Sequence, residues 1–263
     1  MSHRSPVCRF VFGFLCLAAL AALPLLAQTA PPASQLLSLT VVTIKPGMMQ
    51  AYIDYQKSDV IPALQKGGQT WRDSWRTAVF GDPFEVAHVT EIKSFDQYDS
   101  PAPIRKALGD AGYAAYLAKV SPMVSGQRTY AIRTRPDLSY MADGAAQPKM
   151  AILTKVDVRA DKLTEFEAFI KGDWIAALKK GGGKYYSVSQ VVYGGSTTQY
   201  MTLVGIDNFA DLGKGHPVTK ALGDAGLVKL MATSGAFTNQ IDRRVIRLDP
   251  DLSFAVKASA AAR

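Results

Sequence analysis

The chain has 263 residues, 48% of them hydrophobic and 20% charged, with a formal net charge of +8. Its lysines and arginines form no dense run, which argues against nucleic acid as a partner. Both cysteines, Cys8 and Cys16, fall in the first thirty residues, so the remainder offers no disulfide, thiol nucleophile or thiolate metal ligand.

The N-terminus reads as a secretory leader. Arg4 and Arg9 form a positive region, Phe10 to Leu26 is an apolar run broken late by Pro24, and Ala27 and Ala30 supply small residues for cleavage. That is the layout of a signal peptide over residues 1–30. An uncleaved anchor is the other reading, since the run is about long enough to span a bilayer. Cleavage predicts a periplasmic or secreted protein free of the membrane, with its charge lowered from +8 to +6 by loss of the two arginines.

Leu37 to Ile44 is rich in β-branched and apolar residues and predicts a strand. A segment of helical spacing follows and ends at Gly67-Gly68, as helices commonly end on glycine. Trp71–Phe80 and Phe84–Ile92 predict a hairpin around "GDP". A second helix starts near Pro103 and contains "KALGDAG"; a last strand covers about Arg128–Thr134.

The same series then recurs. Residues 36–140 laid on 150–254 without a gap match at 29 of 105 positions, including "KALGDAG" at Lys106–Gly112 and Lys220–Gly226, and "PDLS" at 136–139 and 250–253. In the second copy Leu163, Phe166, Ile170, Trp174, Ala177 and Leu178 share one helix face. Tyr185–Tyr193 and Gln199–Ile206 flank "GGST", Pro217 opens a helix, and Arg244–Leu248 closes the series. "KALGDAG" lacks the spacing of a phosphate loop and recurs with all its surroundings, so it reads as structure. The expected organisation is a ferredoxin-like βαββαβ repeat at 36–142, a linker at 143–149, a second repeat at 150–256 and a tail at 257–263.

Each such repeat covers one sheet face with helices and leaves the other bare. Packing the bare faces together gives an α+β fold with two tandem domains joined sheet to sheet. In this order of elements, in the duplication and in the "KPGMMQAYIDYQ…IPALQKGG" style of the first helix, residues 36–254 resemble the dimeric α+β barrel superfamily. The nearest flavour is that of NIPSNAP or antibiotic-biosynthesis-monooxygenase-like domains. The resemblance implies functions from plain ligand binding through cofactor-free oxygenation and isomerisation to haem binding and chlorite dismutation. It carries no short motif by which a catalytic residue could be transferred.

Polar residues present in one copy only are the functional candidates, because the shared scaffold does not require them. "WRDSWR" at Trp71–Arg76 faces "YYSVSQ" in the second copy, and His88 faces Thr202. Strand alternation sets Phe84, Val86, His88 and Thr90 on one face. Met201 and Leu203 suit packing under helices, which sends His88 into the barrel interior, although the assignment can reverse. The resulting candidate pocket has Trp71 and Trp75 as apolar walls, Arg72 or Arg76 for an anionic group, and His88 with Asp73 and Arg76 as catalytic groups. The structural alternative is that the arginines pair with nearby acids and the tryptophans are core.

His216, before the second helix of copy two, and His88 are the two histidines beyond the leader; either would be the ligand if haem were bound. No histidine spacing suits another metal, and no cofactor is expected. The leading expectation is an exported small-molecule-binding barrel, compatible with homo-oligomer formation. The alternatives are a cofactor-free oxygenase or isomerase acting on a small organic substrate, and a haem-binding protein.

Overall fold

The computed structural model describes residues 33–256; the expected signal peptide and the tail at 257–263 lie outside them. The first series runs β1 (Leu36–Ile44), α1 (Met49–Tyr55), a π-turn (Gln56–Val60), α2 (Ile61–Lys66), β2 (Trp71–Val79), β3 (Glu85–Ile92), α3 (Pro103–Val120), β4 (Val124–Thr134) and the short β5 (Tyr140–Met141). The second runs β6 (Met150–Val158), α4 (Leu163–Phe169), a π-turn (Ile170–Trp174), α5 (Ile175–Lys180), β7 (Tyr185–Tyr193), β8 (Gln199–Ile206), α6 (Phe209–Gly213), α7 (Pro217–Gly235), β9 (Thr238–Leu248) and β10 (Phe254–Ala255). No helix among the described residues is long and apolar enough to cross a membrane.

The sheet runs β2-β3-β1-β4-β7-β8-β6-β9, and β9 pairs back onto β2, so eight antiparallel strands close into a barrel. The halves therefore join edge to edge, β4 with β7 and β2 with β9, as well as face to face. Closure leaves no unpaired edge around this circuit. The last strands of the two halves start earlier than the expected Arg128 and Arg244, at Val124 and Thr238. Polar stretches such as Ser125–Arg128 have weak strand propensity, yet β1 pairs along them, Val41 opposite Arg128 and Thr43 opposite Gly126.

Alternation sorts side chains into three layers. Val42, Ile44 and Val86 pack under α1–α3 with Tyr52, Tyr55 and Val60. Phe166, Phe169, Tyr186, Tyr200 and Val204 form the matching layer of the second half. Leu39, Ile132, Val191 and Met201, with Trp75, Ala151 and Ile246, face inward. Met201 and Leu203 thus belong to the barrel side rather than to the helix side, where Tyr200, Thr202 and Val204 lie. Both layers are apolar, so composition alone does not tell them apart.

Each half sends its C-terminal strap across to the other. Arg135 N–H donates to Val188 O, and Val188 N–H donates to Ser139 Oγ. Asp249 N–H donates to Ser74 O, and Ser74 N–H donates to Ser253 Oγ. Leu138 fills the second half's helix layer and Leu252 the first's, both with no exposed surface. The repeated "PDLS" is this clasp.

"KALGDAG" is a helix break: Gly109 (φ 67°, ψ 179°) and Gly223 (φ 67°, ψ 176°) leave helical geometry at matched points of α3 and α7. In "KGG" the two glycines have separate tasks. Gly68 and Gly182 take positive φ at the helix ends. Gly67 and Gly181 have ordinary φ but sit where a β-carbon would come within 1.9 Å of Pro103 O and 1.7 Å of Pro217 O. Gly181→Ala must push α5 and α7 apart and is expected to cost at least about 2 kcal/mol in urea unfolding. A loss below about 0.5 kcal/mol would mean that this contact does not constrain the helices.

Candidate functional site

The barrel encloses a cavity of about 110 Å³, comparable to the dry engineered cavity of ~150 Å³ that takes a benzene ring. Leu39, Val89, Ile132, Leu203 and Ile246 supply apolar wall, with the indole of Trp75 beside them. The lining also carries charge: Glu85, Lys155 and Arg244, with Arg76. Glu85 and Arg244 form an ion pair through Nη1, while Arg244 Nε is buried without a partner. Lys155 makes no hydrogen bond or ion pair with a described residue. Burial, with Arg244 adding, holds its pKa below that of a free lysine against the pull of Glu85 and Asp242.

On the opposite face of β2 and β3 lies a buried polar network. Ser74 stands opposite His88 in the strand register. Ser74 Oγ donates to Leu252 O at 2.7 Å, so it accepts from His88 Nδ1–H at 2.8 Å. His88 Nε2 is then left with its lone pair and accepts from the Tyr52 hydroxyl of α1 at 2.9 Å. The chain of donors runs one way, from helix through both strands to the strap. Burial, with nearby Arg72, keeps His88 neutral and its pKa well below 6.5. Burial likewise raises Tyr52.

Arg72 extends this network. Its Nε donates to Leu252 O at 3.0 Å and Nη1 to Gln56 Oε1 at 2.9 Å, while Nη2 is buried without a partner. Desolvation lowers its pKa to about 10. Leu252 O thus accepts from both Ser74 and Arg72, one donor per lone pair. At the positions of Tyr52, Gln56, Arg72, Ser74 and His88 the second half has Phe166, Ile170, Tyr186, Val188 and Thr202. The fold closes this layer without the network.

The residues singled out in the sequence consequently fall in separate places. His88 lies under the helices instead of in the barrel, because the helix layer takes the face of β3 that carries Val86. Asp73 is across the sheet from it, opposite Val89, accepting from Gln147 Nε2 at 3.1 Å. Ser74 therefore takes the orienting place expected for Asp73. Trp75 is barrel wall, and Trp71 pairs with Ala255 at the start of β2. Arg76 Nε stands 2.6 Å from Asp249 Oδ2, an ion pair by distance whose N–H direction leaves that oxygen without a proper hydrogen bond. Trp75 and Arg76 both line the lumen, whereas Trp71 and His88 are not among its lining residues.

Sequence reasoning missed Tyr52, Gln56, Lys155, Glu85 and Arg244 as candidates. Tyr52 aligns with Phe166, and its hydroxyl is the difference that counts. Lys155 answers to Val41, so the test of one-sided polarity applied to every strand would have found it.

His216 caps α7: its Nδ1 accepts from Val218 N–H at 3.2 Å, which places the ring proton on Nε2. Nε2 is buried without a partner beside a cavity of about 60 Å³. Burial, then Arg243 and Lys220, lowers the pKa to about 4. An axial ligand must offer a lone pair to a roomy face. Here the nitrogen carries a proton and the space holds only a few water-sized guests. His88 has both nitrogens engaged. These residues do not fit a haem, and no group of three or more His, Cys, Asp or Glu among the described residues could hold a metal ion.

No family model matches the chain, and no curated protein matches it. Solved structures do. An anthrone oxidase-like protein matches with a TM-score of 0.59 at 11% identity, over 85% of this chain and 94% of that one. A putative monooxygenase from Lactobacillus acidophilus matches at 0.50 and 11%, over 86% and 100%. A mutant chlorite dismutase from Candidatus Nitrospira defluvii matches at 0.52 and 8%, over 83% and 93%. The chain has an α+β barrel fold. At these identities the likeness reaches the fold and stops short of chemistry.

Proposed function

We propose that the protein is an exported small-molecule-binding barrel whose guest lies in the barrel lumen, apolar body inward and acidic end on Lys155. In this reading residues 1–30 are a cleaved leader. Ferredoxin-like repeats at 36–142 and 150–256, joined by the linker at 143–149, form a fused dimeric barrel of NIPSNAP-like style. One observation carries the proposal: an apolar cavity whose charged region holds an ammonium without a protein partner. An unpaired cation at an apolar wall is costly to the protein alone and useful to a bound carboxylate.

Benzoate and hexanoate titrated against the fluorescence of the leaderless protein, with Trp75 in the wall, are expected to bind saturably. Lys155→Met is expected to weaken them about 10-fold or more, since hydrogen bonds to charged groups contribute roughly 1.5–3 kcal/mol. Ile246→Trp, which fills the lumen, is expected to block them. Equal binding by all three proteins would overturn the lumen as the site.

The second reading, a cofactor-free oxygenase or isomerase, draws on the Tyr52–His88–Ser74 chain in one half only and on the monooxygenase and oxidase names of the fold neighbours. A turnover assay with anthrone-type and other small phenolic substrates tests it. Activity that survives Tyr52→Phe and His88→Thr would remove the network from the chemistry.

A further inference from the structure

The second half contains a cavity that the barrel reading does not use. It lies between the helices and the sheet, and Trp174, His216 and Arg243 all line it. Gly181 has no β-carbon to hold Pro217 away, so the start of α7 comes down on α5 and sets His216 beside Trp174, ring centroids 5.8 Å apart and planes tilted by 44°. Two hydrogen-bond donors end there with nothing to bond: Trp174 Nε1–H and His216 Nε2–H are both buried without a partner. Arg243, paired with Thr154 in the β6–β9 ladder and exposed at the cavity's solvent side, has a guanidinium without an ion pair or hydrogen bond to a described residue. The rest of the lining is aromatic and aliphatic, with Phe166, Phe169 and Met231, apart from the hydroxyls of Thr154, Thr202, Ser234 and Tyr186. The lining contains no carboxylate.

We infer that this cavity is a binding site for a short-chain carboxylate, held by the Trp174 and His216 N–H groups and the Arg243 guanidinium, its alkyl end against Phe166 and Met231. A carboxylate has two oxygens with about four acceptor positions, which suits three convergent donors of which one is cationic. A buried donor left unmade is costly, so the site favours a guest with acceptors over an apolar one. Its volume of about 60 Å³ limits that guest to a few heavy atoms. His216 serves here as a donor, in the tautomer that its capping of Val218 enforces, and not as a metal ligand. Desolvation holds Arg243 and His216 below their ordinary pKa values, so a bound anion should raise both.

The test uses the leaderless protein labelled with ¹⁵N and titrated with acetate and propionate at pH 7, with acetamide as the neutral control. Saturable shifts of the Trp174 indole resonance are expected with both acids, and acetamide is expected to bind at least about 10-fold more weakly. Trp174→Phe, followed by the backbone amide of Val218 that bonds His216, and Arg243→Gln, each checked by circular dichroism and thermal unfolding for an intact fold, are expected to weaken acetate about 10-fold or more. Lys155→Met is expected to leave it unchanged, which separates this site from the lumen. No saturable shift in wild-type protein, equal binding of acetamide, or unchanged acetate affinity in both cavity variants would overturn the assignment. A shift lost in Lys155→Met alone would return the carboxylate to the barrel.

Discussion

Leu252→Ala is expected to destabilise the protein by about 2–5 kcal/mol, although the residue lies in a short strap beyond the last barrel strand. Its side chain has no exposed surface and packs in the layer formed by Val42, Ile44, Tyr52, Val86 and Ile104, all from the other half. Truncation removes the transfer free energy of the side chain and leaves a cavity that helices seated on a closed barrel cannot easily collapse. It also loosens the carbonyl that accepts from Ser74 and Arg72. Leu138→Ala is expected to cost a similar amount, because Leu138 fills the second half's layer from the first half's strap. The two sites share no partners, so the double variant should lose about the sum. Urea unfolding at constant m-value measures all three; a loss below about 1 kcal/mol for Leu252→Ala would mean that the clasp is ornamental.

The Tyr52–His88–Ser74 network should reveal itself by non-additivity and by acid. His88→Ala alone leaves the Tyr52 hydroxyl without its acceptor and Ser74 Oγ without its donor, and opens a cavity; about 3 kcal/mol or more should be lost. Replacing the three residues together by their second-half counterparts, Tyr52→Phe, Ser74→Val and His88→Thr, removes the Tyr52–His88–Ser74 hydrogen bonds at once and leaves Arg72 its bonds to Leu252 O and Gln56 Oε1. That variant is expected within about 1 kcal/mol of wild type, since deleting both ends of a buried hydrogen bond can be nearly neutral. A triple variant worse than His88→Ala would show that the network is required for folding.

The pH dependence follows from the same burial. His88 and His216 have folded pKa values below the unfolded value of about 6.5. Below pH 6.5 the unfolded chain therefore binds protons that the folded chain refuses, and stability falls as pH falls. For His216 this loss accrues between 6.5 and about 4 and then levels off; for His88 it runs in the same direction. His216 contributes about 2 kcal/mol of loss between pH 7.5 and pH 5, and His88 adds to it in the same direction, so the triple variant should show a shallower acid slope than wild type. Equal pH slopes for the two proteins would mean that His88 is not held neutral.

The architecture was legible because repetition allowed each half to be read against the other: glycine pairs, proline starts and strand runs recur at a fixed offset of 114 residues. The faces were not. A strand lying between two apolar layers carries apolar residues on both sides, so Met201 and Val204 look alike in sequence although one faces the lumen and the other the helices. The site suffered from this ambiguity. Arg72, Ser74 and His88 were marked by their absence from the second half, but with His88 on the wrong face Asp73 became its partner. The donors that end in cavities, Lys155 and the indole of Trp174, carry no sequence signal for being unpaired. That property belongs to the fold around them.

Fusing the two halves into one chain has a consequence for symmetry. In a barrel made from two identical subunits every inward residue occurs twice across the axis, so a guest meets two equivalent ends. Here Lys155 has Val41 opposite it and Arg244 has Tyr130. The two ends of the lumen therefore differ, and a guest of the kind proposed above would meet a charged end and an apolar one.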